Sequence, residues 1–323
     1  MELLRDLQRS LLPPSFRREC AIRFRLLRAR LSPASMRAER RADVLLVSYP
    51  KCGRTWLTML LSHAMAAHAG VPNAEPLAND LVAGGVAGLP HVRISHDDDP
   101  HWKSARMLAR SKRRFRGKKV ILLVRDPRDV VVSMYFERTR RERAYAGTLH
   151  EFLHEPRGSL ATLLAYYGIW ARERARPQAL CLVRYEDLRA DTARELRRIL
   201  AFVGLPDVLA SHVSEAVRFA SFENMRSMEV GDVLHSGRLR ARDPSDPESY
   251  KTRKGKVGGY LDYLRPGEVE WMEGRIRAEL DPWFGYGAPP RARADENDRR
   301  KQRNDNDEDE HELVLEESPE VTR

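Results

Sequence analysis

The sequence predicts an α/β chain, a mainly parallel sheet flanked by helices on both faces. Short apolar runs such as Val44–Ser48, Lys119–Val124 and Ala179–Arg184 alternate with segments of helical periodicity. Repeated strand–turn–helix units give that pattern. Two of the turns, after Val47 and Val124, leave strand ends through Pro and basic residues, where ligands collect in such sheets.

In chain order, Val44–Ser48 reads as a strand and Thr55–Ala69 as a helix with Leu57, Leu60, Leu61 and Met65 on one face. Val92–Ser95 reads as a short strand, followed by a polar loop and a helix over Trp102–Ala109. Lys119–Val124 is a buried strand that ends at Arg125-Asp126-Pro127, and a helix follows through Val130, Val131, Met134 and Tyr135. Leu160–Arg174 reads as helix and Ala179–Arg184 as strand. Thr192–Val203 is a helix closed by Gly204 and Pro206.

Three units are expected: a basic helical extension over 1–42, a domain over 43–288, and a charged tail over 289–323. The extension holds eleven Arg against four acids, with Leu3, Leu4, Leu7 and Leu11 at helical spacing. It reads as helices packed on the domain, or as an arm in peripheral contact with a membrane. The tail has too few apolar residues to offset its chain entropy and reads as disordered.

The chain carries +10 at pH 7, from 57 basic and 47 acidic residues. The last 33 residues hold 7 and 12 of these, which leaves 50 and 35 in the first 290. Such a body attracts phosphate-rich small molecules, nucleic acid or an anionic membrane. Three scattered cysteines make neither a disulfide framework nor a zinc site, and the N-terminus lacks a secretory h-region. A cytoplasmic setting is the expectation.

Three segments carry anion-binding chemistry. In Tyr49-Pro50-Lys51-Cys52-Gly53-Arg54-Thr55-Trp56, Pro50 fixes the exit from the strand and Gly53 allows an unusual backbone angle. The free N–H groups of the next helix then face a common centre, joined by Lys51 and the Thr55 hydroxyl. The loop is P-loop-like, but it lacks the first Gly and the Lys-Ser/Thr pair of GxxxxGK[ST]. In RDPRDVVVS, Arg125 offers a guanidinium fork at a strand end, and Ser133 lies eight residues on. The third, Tyr250–Gly259, is a Gly-rich basic loop suited to closing over a polyanion.

In this order the segments resemble those of sulfotransferases that use 3′-phosphoadenosine 5′-phosphosulfate (PAPS). YPKCGRTW is similar to the family's YPKSGTTW-like loop, and RDPRDVVVS to its RNPKDVAVS. A strand ending in YEDL, a helix ending near Phe202-Val203-Gly204, ASFENM and RKGKVGGY complete the match, from about Val44 to about Phe284. The resemblance implies a cytosolic-type sulfotransferase with a P-loop-like nucleotide-binding fold. PAPS would be the sulfuryl donor, 3′,5′-diphosphoadenosine (PAP) the product, and no metal would be needed. Lys51, Cys52, Gly53, Arg54, Thr55 and Trp56 would take the 5′ end of the donor. Arg125 and Ser133 would hold the 3′-phosphate with Arg253, Lys254 and Gly255, while Tyr185 and Phe222 would flank the adenine. Cys52, Arg54, Ala220 and Gly259-Tyr260 depart from the family's usual Ser, Thr, Thr and Asp-Trp.

Sulfuryl transfer needs a base for the acceptor hydroxyl and a cation for the leaving phosphate oxygen. Lys51 is the candidate cation, and the resemblance implies that Ser133 restrains it. His96, just after a strand between the two phosphate segments, is the candidate base, with a carboxylate beside it to orient the ring. His101, His91, Asp97 and Asp98 compete for that role. The acceptor, a small molecule, carbohydrate or lipid bearing a hydroxyl or amine, would be shaped by 71–89, 138–156 and 229–249. Two other readings are a P-loop-like nucleotide kinase and a basic nucleic-acid-binding protein. The first lacks the Lys-Ser/Thr pair and the second lacks any nucleic-acid motif.

Overall fold

A computed structural model describes residues 39–73, 75–81, 88–97 and 99–287. The expected N-terminal extension up to residue 38, the tail beyond 287 and Asp98 lie outside the described residues. By its internal contacts the chain divides after Asp281. Among its described residues the C-terminal unit has a short 3₁₀ turn, Pro282–Phe284.

The first unit is built on five strands in the order β2-β3-β1-β4-β5. These are β1 (Val44–Ser48), β2 (Asp80–Leu81), β3 (Val92–Ser95), β4 (Lys119–Val124) and β5 (Ala179–Arg184). β3, β1, β4 and β5 are parallel, with Val47 of β1 beside Ser95 of β3 and Leu122 of β4. β2, which the sequence pattern did not reveal, pairs antiparallel with β3 at the edge. Every residue of β1 is buried, as is all of β4 after Lys119, so helices cover both faces at the centre of the sheet. The chain moves from β1 to β3 on one side and then to β4 on the other. The switch point therefore lies between the carboxyl ends of β1 and β4, where the first two anion-binding segments begin.

The helices are α1 (Arg54–Ala69), α2 (Pro127–Phe136), α3 (Leu149–His154), α4 (Leu160–Arg172), α5 (Tyr185–Ala190), α6 (Thr192–Val203), α7 (Ala210–Phe219), α8 (Phe222–Val230) and α9 (Pro266–Glu279). α1 packs against α6 and α7, and α4 against α2 and α9. The apolar face expected for α1 is wider than predicted, since Thr58, Met59 and Ser62 are buried as well. α2 runs into a π-helical turn, Glu137–Arg141.

Two expectations need correction. Trp102–Ala109 is not a helix but two 3₁₀ turns, Pro100–Trp102 and Ala105–Met107. Tertiary donors claim the carbonyls a helix would use: Arg138 Nη2 bonds to the His101 carbonyl at 2.7 Å, and the Thr162 hydroxyl to that of Lys103 at 3.0 Å. The phrase YEDL does not end a strand, because β5 stops at Arg184 and Tyr185 begins α5.

The end of β3 is fixed by a buried charge cluster. Asp97, at a left-handed φ of 52°, turns its carboxylate inward. It accepts from Lys112 Nζ at 2.5 Å, Arg114 Nη2 at 2.6 Å and Trp170 Nε1 at 2.9 Å. Lys112 and Asp97 are both almost fully buried. Breaking such a pair from one side leaves an uncompensated charge. Asp97→Ala is therefore expected to lower unfolding free energy by about 3–5 kcal/mol in urea denaturation. A loss under about 1 kcal/mol would show that Lys112 finds water and that the cluster does not pin this strand end.

Candidate functional site

At the switch point lies a cavity of about 380 Å³, open on one side. Among its lining residues are Lys51, Gly53, Arg54, Thr55, Trp56, His96, Arg125, Ser133, Tyr185, Phe222, Arg253, Lys254 and Gly255. Thus all three basic segments and the predicted histidine meet at one place. Cys52 does not line it. Its side chain is fully buried, with Sγ 3.4 Å from the Tyr167 hydroxyl, and burial pushes the thiol up to about 12. Only its backbone is on offer to a ligand.

The first loop prepares an anion site without any side chain to cap it. Gly53, the N-cap of α1, has φ 93°, no side chain bonds the helix start, and the first turn carries no acid. Its amides and the helix dipole are left for a ligand. Lys51 also takes a left-handed φ, 75°. Gly53 is needed for space as well: a Cβ there would lie 2.6 Å from the Tyr185 ring. Gly255 meets Phe222 in the same way, at 2.7 Å. The edge-on Trp56–Tyr185 pair, with Phe222, supplies aromatic surface, and Trp56 Nε1 donates to the Ala220 carbonyl at 2.9 Å.

Arg125 ties the three segments together. Its guanidinium lies over the Tyr185 ring at 4.3 Å, donates to the Lys256 carbonyl at 3.0 Å and approaches that of Lys51 at 3.5 Å. Burial is the largest influence and would lower its pKa, but Asp129, 3.2 Å away, and then Tyr185 and Glu186 together hold it above the ordinary value. Its Nε is buried without a partner. Asp129 in turn accepts from the amides of Gly258 and Tyr260, fastening the basic loop to α2. The loop's own cations are neutralised locally: Arg253 pairs with Glu248 at 3.0 Å, and Lys254 and Lys256 share Asp262 at 2.9 and 3.0 Å. Thr55, Ser133 and Phe222 face the cavity as expected. A buried orphan donor on Arg125, an uncapped helix N-terminus and aromatic walls fit a nucleotide bearing anions at both ends.

The imidazole of His96 is oriented by the main chain rather than by a carboxylate. Its Nδ1 lies 3.1 Å from the Ser48 carbonyl. A carbonyl can only accept, so Nδ1 carries the proton and Nε2 is the basic atom. Burial, then Arg54 and His101, push its pKa well below the ordinary 6.5. Asp97, the expected orienting group and alternative base, points away into its buried cluster, its oxygens already shared among three donors. His101 lines the cavity with its ring 5.9 Å from that of His96. His91 is held by Asp80 at 2.8 Å on the sheet edge, outside the cavity lining.

Lys51 departs most from expectation. Ser133 does not hold it. Its amine bonds to Glu137 Oε2 at 2.6 Å, one helical turn further along the same face. Lys251 Nζ bonds to the other oxygen at 3.2 Å, and Arg141 Nε lies 3.4 Å from Oε2. Glu137 was legible as Ser133 plus four, and Lys251 as the first cation of the third segment. Of the segments expected to shape the acceptor region, only Glu142 lines the cavity among the described residues, and Asp99, Trp102 and Met134 line it as well. Arg238, from 229–249, instead bonds to the carbonyls of Leu77 and Ala78 in 71–89.

A parallel α/β sheet with a P-loop-like turn and two cationic segments at its switch point defines a nucleotide-binding enzyme. A family model described as Sulfotransferase domain matches residues 41–283, and the chain belongs to that family: it is a sulfotransferase. Similar proteins include cytosolic sulfotransferase 14 of Arabidopsis thaliana, 27% identical over 74% of this chain and 75% of the relative. Flavonol 3-sulfotransferase of Flaveria bidentis is 23% identical over 74% and 81%. A mouse sulfotransferase crystallised with PAP has the same fold, with TM-score 0.53 at 24% identity over 74% of this chain and 84% of that one. These comparisons give no support to a kinase or a nucleic-acid-binding protein. Among the described residues no helix is long and apolar enough to cross a membrane.

Gly53→Ala tests the loop directly. It meets both the left-handed φ and the Tyr185 ring, and is expected to cost about 1–3 kcal/mol of stability. A denaturation midpoint equal to wild type would mean that loop and ring separate freely.

Proposed function

We propose that this sulfotransferase transfers a sulfuryl group from PAPS to a hydroxyl or amine acceptor, with His96 as general base. The observation that carries the reading is the His96–Ser48 hydrogen bond. It leaves a neutral imidazole with its basic nitrogen free, in a cavity that also presents Lys51 and Arg125.

Residues at the two ends of the cavity would hold the donor. The α1 amides, Thr55 and Lys51 suit a 5′-phosphosulfate. Arg125 and Ser133, joined by the cations of 253–256 once these exchange their carboxylates, suit a 3′-phosphate. Tyr185, Trp56 and Phe222 would flank the base. When bound, PAPS supplies an activated sulfuryl group whose leaving group is a phosphate.

His96 Nε2 would take the acceptor's proton, its Nδ1–H held still by Ser48. The Lys51 ammonium would neutralise charge growing on the leaving oxygen, an interaction stronger in the transition state than before it. Asp97, by fixing the strand end beside His96, positions the base without touching it. The acceptor would enter past Trp102, Met134 and Glu142, a partly charged wall that suits a polar small molecule or sugar, or the hydroxyl end of a lipid. The names of the plant relatives favour small acceptors and a cytoplasmic site of action.

Two outcomes are expected. PAP should raise the melting temperature strongly and AMP much less, since a ligand at ~100 times its dissociation constant adds ~2.7 kcal/mol. Equal shifts would remove Arg125 and Ser133 from a 3′-phosphate site. The second concerns pH. His96 must be neutral to act, and its pKa is depressed, so the acid limb of kcat/KM should lie below the ordinary imidazole value of 6.5. His96→Ala should abolish that limb and slow transfer by about 10²–10⁴-fold while PAP binding persists. Full activity with the limb intact would move the base elsewhere, His101 first.

A further inference from the structure

We propose that Glu137 is the positioning residue for Lys51, holding its amine charged and aimed into the cavity until the donor's anion takes the carboxylate's place. This rests on the reading of Lys51 as the cation that meets the leaving phosphate.

The geometry is specific. One carboxylate, at the start of the π-helical turn after α2, receives the amine of the β1–α1 loop at 2.6 Å and that of the basic loop at 3.2 Å. Neither lysine is floppy. Lys51 sits at a left-handed φ that fixes the direction of its side chain. The backbone amide of Lys251 is gripped by the buried Glu229 at 2.6 Å, whose other oxygen takes both the amide and the hydroxyl of Thr252. Arg141 supports the same arrangement from the far side, donating to the Ser249 carbonyl at 2.6 Å. Glu137 thus links the phosphate loop, α2 and the lid segment through one charge.

Electrostatics give that link a purpose. The Lys51 side chain is only 10% exposed. Burial lowers its pKa to about 8; Lys251 and Arg141 also push it down, and Glu137 is the group that pushes it up. Burial would raise Glu137, but Lys51, Lys251 and Arg141 hold it well below the usual carboxylate range, so it stays anionic at any working pH. Without that carboxylate, Lys51 would face two cations with little solvent and lose its proton near neutrality. A carboxylate is also a temporary partner. A donor anion arriving at Lys51 displaces it, and Lys251 and Arg141 remain to hold Glu137 aside.

The test needs no acceptor. The chain has nine lysines, so the Lys51 side chain can be followed by NMR in protein labelled at lysine, assigned with Lys51→Met. In Glu137→Gln the Lys51 midpoint should fall by about 1–3 pH units, and in Lys251→Met it should rise. Glu137→Asp should restore a midpoint near that of wild type. Calorimetry with PAP supplies a second readout. At a pH below both measured midpoints, where Lys51 is protonated in both proteins, Glu137→Gln should bind PAP several-fold more tightly, because no carboxylate competes for the amine. That gain should vanish as pH rises through the lowered midpoint. An unmoved Lys51 midpoint in Glu137→Gln overturns the proposal. A moved midpoint with unchanged PAP affinity at a pH below both midpoints upholds Glu137 and instead takes Lys51 off the donor's phosphate.

Discussion

Cations gathered to receive an anion repel one another until it comes. Lys51, Arg125, Lys251, Arg253, Lys254 and Lys256 all line one cavity. Each is therefore matched with a carboxylate that can be exchanged: Glu137 for Lys51 and Lys251, Asp129 for Arg125, Glu248 for Arg253, and Asp262 for Lys254 and Lys256. In the basic loop the Asp262 pairs with Lys254 and Lys256 are the more exposed and cost little to open, while Arg253–Glu248 is partly buried. The Glu137 and Asp129 pairs are buried, and they decide where the reacting groups sit.

The sheet converts this charge pattern into a site. Parallel order places the ends of β1 and β4 side by side, so a loop near residue 50 and another near 125 face one space. α2 then spans the site lengthwise. Asp129 grips the amides of Gly258 and Tyr260, Ser133 lines the cavity, and Glu137 meets both lysines. Positions four apart lie one above another on a helix, so one face of α2 reaches the lid, the cavity and the phosphate loop in turn.

The structural acid and the candidate base are kept apart in the same way. Asp97 adjoins His96 in sequence but turns its carboxylate into the interior, toward Lys112, Arg114 and Trp170. Among the described residues His96 has a carbonyl partner, and the main influences on its pKa, burial, Arg54 and His101, all lower it, which keeps its neutral form available. The same sequence stretch thus supplies an anchor and a candidate base.

By itself the sequence determined the strand–helix alternation, the basic segments and the position of His96. These depend on periodicity, glycine and proline geometry, and local charge, all carried by neighbouring residues. The strands over 44–48, 119–124 and 179–184 could be read in this way because each is a mostly apolar run, and 92–95 because its apolar residues alternate with polar ones. Only the tertiary structure decided which carboxylate meets which cation. Asp97 and Glu137 were both visible as acids close to key residues. Yet one became buried ballast for Lys112 and the other the partner of Lys51, because partners 86 residues apart are set by how the β1–α1 loop meets the turn after α2. For the same reason Cys52 and Arg54, neighbours in one loop, diverged. A left-handed turn at Lys51 and Gly53 sends the thiol into the core and leaves the guanidinium at the cavity.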